Sequence, residues 1–105
     1  MIEKVVGTTY REHPPVSELV GEIDKSGEIP IFTGQALLVP EPTNEYDPNA
    51  IAVIAQKKDG SVHHVGYLGK HTELYTKTKN ITPAILRIFG YSTIGLTDSF
   101  QVETQ

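Results

Sequence analysis

A chain of 105 residues makes one domain at most, residues 1–105, and 38% hydrophobic with 21% charged residues excludes a wholly disordered polymer. Cysteine is absent, which removes disulfides, thiolate zinc ligands and thiol nucleophiles, and suits an intracellular setting. A net charge of −4 argues against a nonspecific nucleic-acid coat, which carries a broad positive field.

No apolar run reaches the length of a signal peptide or a membrane span, so a soluble, cytoplasmic protein with no membrane partner is expected. The charge is unevenly placed. Residues 1–50 hold 3 Lys/Arg against 9 Asp/Glu, and residues 51–105 hold 6 against 4. An anion-binding surface would therefore lie mainly in the second half, around Lys57, Lys58, Lys70, Lys77, Lys79 and Arg87.

In chain order, residues 4–10 are β-branched and end in Tyr10, which reads as a first strand. Val16, Leu19, Val20 and Ile23 then fall at helical spacing after Pro14-Pro15. A helix is the preferred reading there. The alternative is a hairpin turning at Asp24-Lys25-Ser26-Gly27, which would pair residues 19–23 with 29–32.

Residues 35–39 form the next strand, stopped by Pro40 and Pro42. Residues 50–55 are apolar on both faces and predict a central buried strand. Lys58-Asp59-Gly60-Ser61 supplies a turn into residues 62–68, giving a hairpin. Residues 70–79 follow Gly69 without Gly or Pro, and predict a short helix with Leu74 and Tyr75 towards the core. Residues 83–91 and 99–102 are the last two strands. Short strands punctuated in this way predict a small barrel or curled sheet instead of a parallel α/β fold.

The densest stretch for chemistry is Glu41 to Ile51, with two prolines, two asparagines and Asp47 ahead of a buried strand. Asp47 before Pro48 fits an Asx-turn, in which the carboxylate accepts backbone N–H groups. Tyr46 is not needed for such a turn, and beside Asp47 it offers a stacking face next to a charged acceptor. In Val65-Gly66-Tyr67-Leu68-Gly69-Lys70, Gly66 inside a strand marks a bulge or a close backbone approach. Lys70 would meet an anion near a helix start, or simply face solvent.

His63 and His64 are adjacent on a strand and face opposite ways, so they do not share a metal ion; His13 and His71 are isolated in sequence. Nucleophile-elbow, Walker and zinc-protease motifs are absent, and a non-catalytic protein without cofactor or metal is expected.

Val5-Val6-Gly7, Glu41-Pro42 followed by Asn44, the run Tyr46-Asp47-Pro48-Asn49-Ala50-Ile51-Ala52-Val53, and Val65-Gly66-Tyr67-Leu68 together resemble a HIRAN domain. That family occurs at the N-terminus of SWI/SNF-type fork-remodelling helicases and as small stand-alone bacterial and phage proteins. The resemblance implies a mainly β fold: a small OB-like or SH3-like β-barrel of about six strands with one or two short helices. It also implies a module that grips the 3′-hydroxyl end of single-stranded DNA in DNA repair or replication-fork processing, with a helicase or other repair protein as partner.

By motif, Tyr10 would stack on the terminal base, Tyr46 and Asp47 would form the tyrosine–aspartate pair that takes the terminal hydroxyl, and Lys70 would meet phosphate. Thr9 and Tyr67 complete the implied DNA-binding set. Thr9 and Pro40 stand where DNA-binding members often carry arginine, and Tyr67 where helicase members carry histidine. The acidic first half and the missing arginines leave a second reading, an adaptor module that keeps the barrel without DNA affinity.

Overall fold

The computed structural model describes residues 1–8, 12–89 and 100–104. Within them run β1 (Ile2–Val6), β2 (Gly21–Asp24), β3 (Ile31–Pro40), β4 (Ile51–Gln56), β5 (Val62–Leu68), β6 (Thr82–Phe89) and β7 (Phe100–Glu103). Every pairing is antiparallel. The order β3-β4-β5-β1-β7-β6 returns to β3 through a β3–β6 ladder, so six strands close a barrel. The expected small, mainly β barrel is what forms.

β3 makes closure possible because it is long. Its first residues, from Ile31 to Gly34, pair with β2, and those from Ala36 to Pro40 pair with β4 along the same edge. Its other edge pairs with β6 from Ile31 to Leu38. The side chains of Phe32, Ala36 and Leu38 alternate inward along it, as a pleated strand demands. They meet Val5, Val53, Val65, Leu86, Ile88, Phe100 and Val102 in one core. β4 is buried on both faces along most of its length, as its apolar run predicts.

The helix preferred for residues 16–23 does not form. Val16–Glu18 makes a single 3-10 turn and the chain then enters β2, so the hairpin alternative is the structure. Its register differs from the expected one: Gly21 pairs with Gly34 and Asp24 with Ile31. The apolar spacing misleads because only Val16 and Leu19 are buried, whereas Ile23 stands exposed. A Cβ on either Gly21 or Gly34 would strike the Phe32 ring, so this glycine pair makes room for a core aromatic.

The short helix expected in residues 70–79 is one turn, α1 (Glu73–Lys77). The Thr72 hydroxyl caps it by accepting from the Tyr75 N–H, and Leu74 seals it onto the barrel. Strand ends also move by a few residues. The first strand ends at Val6, and the stretches 83–91 and 99–102 appear as β6 and β7, with residues 90–99 outside the described set.

Candidate functional site

Residues 41–50 form an arch that connects β3 to β4. Its base is closed by the Glu41 N–H donating to the Ala50 carbonyl at 2.9 Å. Asn44 organises the arch from inside: its Oδ1 accepts the N–H groups of Tyr46 at 2.9 Å and Asp47 at 3.0 Å. The Asn44 side-chain amide donates to Glu41 Oε1 at 3.0 Å, and that same oxygen accepts the Tyr67 hydroxyl at 2.9 Å. Tyr67, half-buried on β5, therefore braces the arch from 26 positions away.

These bonds leave Tyr46 93% exposed. The ring therefore presents an open face at which a planar group could stack. Beside it, half-buried Asp47 is split between two directions. Its Oδ1 accepts the Asn49 N–H of its own turn at 2.9 Å, as the Asx-turn reading anticipates. Its Oδ2 accepts the Tyr75 hydroxyl of α1, also at 2.9 Å.

The Asn49 N–H, the Tyr75 hydroxyl and the Lys70 charge, in that order, outweigh desolvation and hold the Asp47 carboxyl below its usual range. Partial burial and the bond to Asp47 push the Tyr75 phenol up, so it stays a donor at any ordinary pH.

Tyr46, Asp47, Tyr67 and Lys70 line one hollow of about 300 Å³, with Val6 and Leu68 on its apolar side. That volume sits at the lower end of small-ligand pockets, which run from about 300 to 1,000 Å³. A stacking face, an ionised acceptor and an amine thus share a concave surface. The fold brings four of the six sequence-derived site residues together; Thr9 and Tyr10 lie outside the described residues.

Gly66 sits behind this hollow for the reason its place in a strand suggests. Val53 pairs with Gly66 but Ile54 with His64, which leaves Val65 as an extra residue. A Cβ on Gly66 would overlap the Val6 carbonyl oxygen, so bulge and close approach occur together.

The broader cationic surface expected in the second half is divided. Lys57 pairs with Glu18 at 3.9 Å, Lys77 with Glu73 at 2.5 Å and Arg87 with Glu103 at 2.6 Å. Lys70 is the member of that set at the hollow.

His13 is not isolated in space. Its Nε2 donates to the Thr8 carbonyl at 2.8 Å, and its Nδ1 shares a hydrogen bond with His63 Nε2 at 2.7 Å. His64 turns away to the Gly66 carbonyl at 2.9 Å. Among the described residues no three His, Asp or Glu side chains gather to hold a metal ion.

Sequence reasoning missed Tyr75 and the bracing role of Glu41. The helical pattern places Tyr75 only towards the core, and nothing in its local sequence marks a partner 28 positions away. No family model, no curated protein and no solved structure matches this chain.

Proposed function

We propose that this chain is a HIRAN-like, non-catalytic module that binds the 3′-hydroxyl end of single-stranded DNA. The observation that carries the reading is the shared hollow of Tyr46, Asp47, Tyr67 and Lys70, with the Tyr46 ring left bare at its rim. A bare aromatic face suits a nucleobase, since stacking contributes about 1–3 kcal/mol per base and tolerates any sequence. Lys70 supplies a compact charge for a phosphate.

Asp47 gives the reading its direction. An ionised carboxylate repels a phosphodiester, so it belongs in such a site only opposite a donor. A free 3′-hydroxyl is that donor, and a 3′-phosphate would set like charges together. Oδ2 accepts one bond from Tyr75 and has a further lone pair for the terminal hydroxyl.

Fluorescence anisotropy with one labelled oligonucleotide, ending in a 3′-hydroxyl or a 3′-phosphate, tests this. The expected result is micromolar or tighter binding of the hydroxyl form and at least about tenfold weaker binding of the phosphate form. Equal affinity for the two rejects the pocket chemistry.

A second reading, an adaptor module, draws on β2. Its four residues are exposed on both faces, and its outer edge has no ladder partner among the described residues. It would bind no oligonucleotide at low salt and would show amide shifts confined to β2 on adding a lysine-rich extended peptide.

A further inference from the structure

Asp47 and Pro48 are consecutive in sequence, yet they line different hollows. Asp47 faces the 300 Å³ hollow with Tyr46 and Lys70. Pro48 lines a second one of about 440 Å³, together with Pro40, Pro42, Tyr75 and Lys79. The hydrogen bond from the Tyr75 hydroxyl to Asp47 Oδ2 therefore spans the boundary between the two.

We propose that Tyr75 is a specificity-determining positioning residue: it pins the Asp47 carboxylate across that boundary, so that a DNA strand ends there and does not run through into the second hollow. The inference rests on the 3′-end reading of the first hollow.

The Asn49 N–H orients Oδ1 within its own turn, but it leaves Oδ2 without a fixed partner from that turn. Tyr75 supplies the fixed partner from a separate element, and α1 in turn is held by the Thr72 cap and by buried Leu74. A strand that continued past its sugar would carry its next phosphate onto this carboxylate, with the Lys79 amine beyond as an attraction. Discrimination then depends on the carboxylate standing in the path, ionised. The charged and titratable groups around it are Lys70 from the end of β5 and Tyr75 from α1, with the Asn49 amide of its own loop.

The test is Tyr75→Phe in the full chain, which keeps the ring and removes only the hydroxyl. Two readouts are needed: an NMR titration of the Asp47 carboxyl carbon without DNA, and the affinity ratio for 3′-hydroxyl over 3′-phosphate oligonucleotides. The expected result is a higher Asp47 titration midpoint and a ratio reduced about three- to tenfold, the size of one ordinary net hydrogen bond, with amide resonances outside the site unmoved.

An unchanged midpoint, or an unchanged ratio in a wild-type protein that does discriminate, overturns the proposal. If wild-type protein shows no preference for hydroxyl ends, the 3′-end reading falls, and with it the role in specificity; the carboxyl titration then reports on the hold alone. Should Tyr75→Phe fail to fold, 3-fluorotyrosine incorporation makes the phenol a stronger donor. It must then lower the Asp47 midpoint, and no movement counts against the proposal.

Discussion

Among the described residues three aspartates sit in the same kind of turn, and one of them is different. Asp24 and Asp59 each use Oδ1 to accept both the N–H and the hydroxyl of a serine two positions on, at 2.9 and 2.7 Å for Ser26 and 2.9 and 2.5 Å for Ser61. In both, these bonds fall on one oxygen and come from the carboxylate's own turn. Asp47 has Asn49 at the matching position, takes only its N–H, and sends its second oxygen to Tyr75 on α1. A carboxylate that closes its own turn is a structural part. One that shares itself with a distant element, beside an exposed ring and an amine, is available for recognition.

The largest effect comes from breaking the frame that all three turns share. Leu86 is wholly buried at the centre of the barrel, and Leu86→Ala should lower unfolding free energy by about 2–5 kcal/mol in a urea titration. A loss well below that range would mean that the barrel wall relaxes around the cavity.

Next in size is the contrast between the aspartates themselves. Asp47→Asn should weaken binding of a 3′-hydroxyl oligonucleotide about tenfold or more and abolish its advantage over the 3′-phosphate form. Asp59→Asn should leave both affinities unchanged, as read by anisotropy. Equal losses in the two variants would dissolve the comparison.

The pH dependence sharpens it further. Because the Asn49 N–H, Tyr75 and Lys70 lower the Asp47 pKa, its ionised form is favoured by the fold. Its contribution is full above the unfolded value near 3.8 and is lost only as pH falls through the lower, folded value. Discrimination against the 3′-phosphate should therefore persist through pH 4–5 in an anisotropy series. Because the 3′-phosphate itself loses a charge near pH 6, an Asp47 carboxyl-carbon titration run alongside separates the two, and a midpoint at or above about 5 would show that the carboxylate is not held ionised.

The smallest effect is purely structural. Asp24 and Asp59 are also lowered, chiefly by the serine hydroxyls, so their stabilisation has the same sign and fades in the same acidic direction. Ser61→Ala should raise the Asp59 titration midpoint in a carboxyl-carbon NMR series while binding stays unaltered.

Much of the barrel was legible because its signals are local. The apolar run of β4 and the turn at Asp59-Gly60 each have one good physical reading, and each holds; the glycine in β5 has two, a bulge or a close approach, and both occur. Residues 16–23 did not, since Val16, Leu19, Val20 and Ile23 have helical spacing but Gly21 and Gly34 must pair to admit the Phe32 ring.

The hollow was half legible. Tyr46 and Asp47 are neighbours, so sequence alone couples them, and Tyr67 and Lys70 lie at the end of an evident strand. Tyr75 was hidden by distance along the chain, as was the meeting of His13 with His63, 50 positions apart. Pairing of that kind is created by closure of the barrel, which local pattern does not encode.

The most direct test of the account is an NMR titration of the labelled protein with a short single-stranded oligonucleotide bearing a free 3′-hydroxyl. Amide shifts should concentrate on residues 44–50, on residues 67–70 and on Tyr75. Shifts that are absent, or that gather on β2 or the outer face of β6 while the hollow stays silent, would contradict it.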